Sequence, residues 1–124
     1  MPTPRGRAQV VIVDDHATFR GAARMLLEAR GYDVVAEAVS ADAALAAVEQ
    51  HEPTAVLLDV RLGEDDGFAL CGTLTRRHPE LAVLLASDGD FEHIADRVAT
   101  CGARGFVRKS RLAQVDLGEF WPAG

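Results

Sequence analysis

Cysteine is nearly absent from this chain of 124 residues: there are two, Cys71 and Cys101. Neither stands in a metal-ligand spacing or beside a partner motif, which excludes a disulfide framework and a cysteine-based metal centre. Both fall on helical patterns and read as small buried hydrophobes in a reducing compartment. Positive charge is also short. Thirteen Lys and Arg stand against nineteen Asp and Glu, a net charge of -6. That balance argues against direct nucleic-acid binding and against an anionic membrane surface, since both need a positive footprint. No apolar stretch approaches the roughly 20 residues that span a bilayer. The opening Met1-Pro2-Thr3-Pro4-Arg5-Gly6-Arg7 lacks the apolar middle of a signal peptide. The expected compartment is the cytoplasm.

What the chain does have is short apolar runs that stop on polar residues. Val10-Val11-Ile12-Val13 ends on Asp14-Asp15, Ala55-Val56-Leu57-Leu58 ends on Asp59, and Leu81 to Ala86 ends on Ser87. Continuous runs of this length are strands of a parallel sheet buried on both faces. Between them lie helical patterns. His16 to Arg30 carries Phe19, Ala23, Leu26 and Leu27 on one stripe, with Arg20 and Arg24 outside, and closes at Gly31. Val34 to Val39 is a strand, and Glu37 within it suggests an edge position. Ser40 caps a helix with Ala44, Leu45 and Val48 inward. A third helix carries Phe68, Cys71 and Leu74, and a fourth, capped by Asp90, carries Ile94, Val98 and Cys101. Phe106-Val107 is a short last strand. Strand and helix alternate five times, which specifies an α/β fold with a parallel sheet and helices on both faces. The expected layout is one domain over 1–124. Its tail, 1–8, is mobile. Residues 111–124 form a shortened last helix of about two turns, capped by Ser110, and an atypical end; Gly118 and Pro122 cut the helix off. Phe120 and Trp121 suit equally a lid on the core or a contact surface.

Ligands of open parallel sheets gather beyond the carboxyl ends of the strands. Asp14, Asp15 and Asp59 therefore converge on one spot, where they repel each other unless a cation is present. Mg2+ suits such a site, with Mn2+ as a substitute, because hard cations take oxygen ligands and Mg2+ keeps several waters. A carboxylate nucleophile beside a metal ion is a route to an aspartyl phosphate. Lys109, just past the last strand, reaches the same cleft as a point charge, and Ser87 offers a hydroxyl to a phosphoryl oxygen.

At this point the chain resembles the response-regulator receiver domains of two-component signalling. The resemblance is carried by Val11-Ile12-Val13-Asp14-Asp15-His16, Leu57-Leu58-Asp59-Val60, Asp66-Gly67-Phe68, Ala86-Ser87 and Gly102-Ala103-Arg104-Gly105-Phe106-Val107-Arg108-Lys109. The Asp-Asp-His start is similar to the NarL/LuxR-like subfamily, often fused to helix-turn-helix output domains. The resemblance implies a flavodoxin-like doubly wound sheet of five parallel strands in the order 2-1-3-4-5. It implies that Asp59 accepts a phosphoryl group from a sensor histidine kinase or phosphotransfer protein. Asp15, Asp59 and the backbone carbonyl of Arg61 would hold the metal, with Asp14 acting through water. Lys109 and Ser87 would stabilise the phosphoryl group, and Ser87 with Phe106 would form the switch that reshapes the helix 4–strand 5–helix 5 surface for an unidentified downstream protein. The face bearing Arg20 and Arg24 would be a kinase-docking surface, and pairing into a homodimer is compatible with the family.

Several positions depart from the family pattern. Gly63 replaces a usual proline, so the loop after Asp59 should be looser. Asp65 makes Glu64-Asp65-Asp66 unusually acidic, and Asp88 adds a carboxylate after Ser87. Ser110 stands where many members carry a cis-proline, and Arg108 where an apolar residue is common. Arg61, Gly63 and Asp88 are thus candidate modulators of the site.

Competing readings are a degenerate receiver acting as a phosphorylation-independent interaction module and, more remotely, a haloacid-dehalogenase-like phosphatase. The latter wants an Asp-x-Asp after the first strand. A flavin-binding protein is disfavoured, because Asp14-Asp15 would repel the flavin phosphate. Asp14 and Asp15 as mere helix caps, and His16 as a polar helix start, are the bland alternatives. His51, His78 and His93 read as solvated helix-end residues. As written, the chain ends soon after Lys109, so the expectation is a non-enzymatic protein that acts by protein contact, with at most self-catalysed phosphoryl transfer and autodephosphorylation.

Overall fold

The computed structural model describes residues 8–89 and 94–122. Its main sheet has five strands, β1 (Gln9–Val13), β2 (Asp33–Ala38), β3 (Ala55–Asp59), β4 (Ala82–Ser87) and β5 (Gly105–Arg108). They run in the order β2-β1-β3-β4-β5, every pairing parallel. Helices α1 (Ala17–Ala29), α2 (Ala41–His51), α3 (Gly67–Arg77) and α4 (Ala95–Thr100) connect them.

The period of two along each strand splits the core into two layers. Val10, Ile12, Leu57, Leu84 and Val107 face α1, meeting Ala23 and Leu27. Val11, Val13, Val56, Leu58, Val83 and Leu85 face the other way, onto Ala44 and Val48 of α2 and Cys71 and Leu74 of α3. Every residue of β3 and β4 is buried, whereas β2 at the edge buries only Val34 and Ala38 and exposes Glu37. Fully burying one such Leu or Val contributes about 1.5–3 kcal/mol, so the three central strands anchor whatever stands at their ends.

Four expectations need correction. No fifth α-helix forms: residues Lys109–Gln114 and Leu117–Glu119 make two 3-10 turns. The first begins at Lys109 itself, with Arg108 in the cap position and no side-chain cap bond, so Ser110 caps nothing. Ala8, assigned to the mobile tail, is buried in the core, and its carbonyl accepts the Asp33 N–H at 2.9 Å. The loop after Asp59 is not loose. Arg61–Leu62 and Asp65–Asp66 close it as a small antiparallel hairpin. Gly63 sits in its turn with φ +61°, a left-handed conformation that glycine adopts without strain. Arg20 and Arg24, outside the apolar stripe as expected, both bind Glu37, at 3.0 and 2.7 Å, and tie α1 to β2. Asp90 and His93 lie outside the described residues.

Trp121 resolves the even choice left for the C-terminal aromatics. It is buried, edge-on to Tyr32 with ring centroids 5.3 Å apart, and Phe120 packs beside it. Leu112 and Leu117 join this layer, and Arg30, at the C-terminal cap of α1, donates to the carbonyls of Ala113 and Val115.

Candidate functional site

The order β2-β1-β3 makes the chain turn in opposite directions from β1, and the carboxyl ends of β1 and β3 diverge into a crevice. Asp14 follows β1 and is 1 % exposed; Asp59 ends β3 and is 4 % exposed. Lys109 follows β5, whose register sets Arg108 beside Ser87, so the lysine projects one residue past the end of β4. Its Nζ lies 2.7 Å from Asp14 Oδ2 and 3.3 Å from Asp59 Oδ2, and 4.6 Å from the centre of the Phe19 ring. It is also the only lysine in the chain.

Charge in this crevice is poorly hydrated, and the titration of the groups reflects it. Burial pushes the Asp59 carboxyl up; the Arg61 N–H, donating to Oδ1 at 3.1 Å, opposes this, the Asp14 charge adds to it, and the net shift is upward. Burial alone would push the Lys109 ammonium down, but its bond to Asp14 and the charges of Asp59 and Asp14 outweigh it and hold the lysine up. The two shifts are compatible. One ammonium serves two acids, so it gains from both, while Asp59 gains only a share of it and still feels the Asp14 charge.

Asp15 is partly exposed, and His16 completes the group. The His16 ring Nδ1 lies 3.0 Å from Asp14 Oδ1, 3.1 Å from Asp15 Oδ1 and 4.0 Å from Asp59 Oδ2. Ligand atoms of Asp14, Asp15, His16 and Asp59 all lie within 4.8 Å of one another. Three convergent carboxylates facing one ammonium are a donor set suited to a divalent cation with oxygen ligands. Asp14 and Asp15 do not cap α1 in its first turn; the helix has no side-chain cap bond and no acid in that turn.

Ser87 is buried, and its Oγ accepts the Gly89 N–H at 3.0 Å. It lines, with Asp59, Arg61, His16 and Asp88, a cleft of about 780 Å³. Phe106 is half-buried in the layer facing α2 and α3, beside Leu85. Gly63 approaches Asp15; a Cβ there would stand 3.6 Å from Oδ2. The acidic loop is largely engaged elsewhere. Asp65 Oδ2 accepts the Ala41 N–H at the start of α2, and Asp66 Oδ1 accepts the Phe68 and Ala69 N–H groups at the start of α3. Burial pushes the Asp66 carboxyl up, but Arg97 at 2.7 Å and these N–H groups hold it down overall.

Three participants escape a reading of the sequence. His16 reaches into the acids. Arg97 of α4 pairs with Asp66, stacks 4.2 Å over Phe68 and lines the cleft. Arg20 donates to the Asp14 carbonyl at 2.8 Å. The signal for His16 was its place directly after two acids; Arg20 and Arg97 carry no local signal, because tertiary packing alone brings them here.

Comparison with known proteins gives a consistent picture. The family model described as the response regulator receiver domain matches residues 10–117. The chain is 33% identical over 104 residues to the transcriptional regulatory protein DegU of Brevibacillus brevis, covering 83% of this chain and 44% of that protein. It is 31% identical over 102 residues to the response regulator GacA of Pseudomonas protegens, covering 82% and 48%. The chain thus spans about half the length of the curated relatives it matches. Among solved structures, the signal receiver domain of the putative response regulator NarL from Mycobacterium tuberculosis aligns with a TM-score of 0.78 and 31% identity, over 91% of this chain and 89% of that one. A LuxR-family two-component response regulator from Aurantimonas sp. SI85-9A1 aligns at 0.79 and 30%, over 84% and 75%. Among the described residues, no helix is long and apolar enough to cross a membrane.

Proposed function

This chain belongs to the response regulator receiver domains, and from that premise we propose that Asp59 is its phosphoacceptor. The single observation that carries the reading is the Asp59 carboxylate, buried at the end of the central strand and held 3.3 Å from the only lysine, beside Asp14. A carboxylate with a raised pKa, few water neighbours and a fixed direction is suited to attack phosphorus in line.

In this reading a sensor histidine kinase or phosphotransfer protein presents a phosphohistidine in the cleft. An oxygen of Asp59 forms the new bond to phosphorus as the bond to the imidazole nitrogen breaks, and the imidazole leaves with that electron pair. Asp14, Asp15, Asp59 and the Arg61 carbonyl are the groups that would hold Mg2+, or Mn2+ in its place, which when bound neutralises charge on the phosphoryl oxygens. Lys109 moves from pairing two carboxylates to pairing the phosphoryl group and Asp14. The Ser87 hydroxyl, now an acceptor from Gly89, turns to donate to a phosphoryl oxygen. Its departure opens space toward β5, and Phe106 turns inward to fill it. The surface that changes is α4, β5 and the two 3-10 turns, the last of which begin at Lys109 and stand where a fifth helix is expected. A downstream protein reads that surface by contact. The chain acts as a signalling carrier, and the only chemistry asked of it is its own phosphoryl transfer and hydrolysis.

The test is a comparison of amide NMR spectra with and without beryllofluoride, a mimic of the phosphoryl group, in the presence of Mg2+. The expected shifts extend from Asp59 through Ser87 and Phe106 to Leu112–Trp121. Shifts confined to the carboxylate cluster contradict the switch.

A further inference from the structure

We infer that His16 is a nitrogen ligand to the divalent cation of this site, which biases the site toward Mn2+ over Mg2+ compared with an all-oxygen donor set. The inference rests on the phosphoacceptor reading for the presence of a cation, and adds which protein atom touches it and which metal gains.

The first argument is direction. His16 holds the cap position of α1, yet its side chain makes no bond to the helix. Its backbone N–H donates to Asp14 Oδ1 at 2.8 Å, so that oxygen has a donor besides the ring. The ring nevertheless turns Nδ1 into the acids, 3.0 Å from one carboxylate and 3.1 Å from a second.

The second argument is spacing. Ligands about 2.1 Å from an octahedral ion lie about 3.0 Å from their neighbours and about 4.2 Å from the ligand opposite. Nδ1 makes a 3.0 Å hydrogen-bond contact with Asp14 and lies 3.1 Å from Asp15 and 4.0 Å from Asp59, separations that also suit donors sharing one ion.

The third is charge. Asp14, Asp15 and Asp59 against Lys109 leave two negative charges, which a divalent cation cancels. A further acid at position 16 would overshoot that balance, whereas an imidazole nitrogen adds a donor without adding an anion. A bare Nδ1 lone pair facing two carboxylates is repelled, so either a proton or a cation must lie between them. Imidazole nitrogen favours Mn2+ and the later divalent ions over Mg2+, which prefers oxygen and holds its water.

The experiment uses Mn2+ as probe and Mg2+ as competitor on the intact chain, with His16→Gln and His16→Ala beside the wild type. Pulsed EPR of the Mn2+ complex is expected to show imidazole nitrogen coupling in the wild type and none in either variant. Mn2+ affinity should fall on the order of tenfold in the variants, with Mg2+ affinity changed by less than about threefold. Mn2+ bound with oxygen couplings alone, or variants that lose both metals equally, overturns the role of His16 and leaves the phosphoacceptor reading standing. Failure of the wild type to bind either ion overturns both.

Discussion

At the scale of single residues, Asp59 is held in the fold against its own solvation. Its pKa is raised because burial and the Asp14 charge outweigh the help of the Arg61 N–H and Lys109. A group whose folded pKa is raised contributes favourably only below its unfolded value, near 3.9 for Asp, and that contribution is lost as pH rises through the folded pKa. Asp59→Asn is therefore expected to raise the Tm of the metal-free protein at neutral pH, and the gain should shrink toward pH 4. Thermal unfolding in a pH series checks this; a variant less stable at pH 7 than the wild type contradicts it. The acids and Lys109 were legible in the sequence because each follows a strand run, and a parallel sheet sends all such ends to one side. The ring of His16 was not, since its direction depends on side-chain torsions that no periodicity encodes. The partner of Arg20 and Arg24 was not legible for a related reason. Helical spacing places them opposite the apolar stripe, but a long side chain can reach back along the helix to an edge-strand acid such as Glu37.

At the scale of elements, the start of α3 is pressed against the end of β3. A Cβ on Gly67 would stand 2.2 Å from the Asp59 carbonyl oxygen and 2.7 Å from the Val60 Cα, both backbone atoms that cannot yield. Gly67→Ala is expected to cost about 3 kcal/mol in urea unfolding and to displace the Asp59 backbone. An unchanged midpoint would mean that α3 can slide freely. The C-terminal turns are the second case. Leu112 and Val115 are spaced for an α-helix, and that pattern suggested one. The observed segment must also seat Leu117 and Trp121 in the core and leave Lys109 directed at the acids, which the tighter 3-10 turns achieve. Asp116 starts the second turn by accepting the Gly118 N–H at 3.0 Å, and Phe120 closes on Gly105, where a Cβ would stand 2.4 Å from its ring. Local propensity could not show this, because it is set by contacts with α1 and β5. Trp121→Ala is expected to cost about 4 kcal/mol by urea unfolding. A loss under about 1 kcal/mol would mean that the segment is not part of the core.

At the scale of the whole molecule, four of the five parallel strands bring Asp14, Asp15, Asp59, Ser87 and Lys109 to a single end of the sheet, and the parallel order made that end legible from the sequence. The rest of the molecule supplies rigidity: two packed layers hold β1, β3 and β4, and the Arg20–Glu37–Arg24 network fastens the edge strand to α1. With an overall charge of -6 and an acidic cleft, the proposed phosphoryl transfer requires Lys109 and a divalent cation to offset the carboxylates. The measurement that tests this most directly is intact-protein mass after exposure to acetyl phosphate and Mg2+. The account predicts one phosphoryl adduct, absent without the metal and absent in Asp59→Asn. An adduct that persists in Asp59→Asn, or no adduct on the wild type with Mg2+ present, contradicts it.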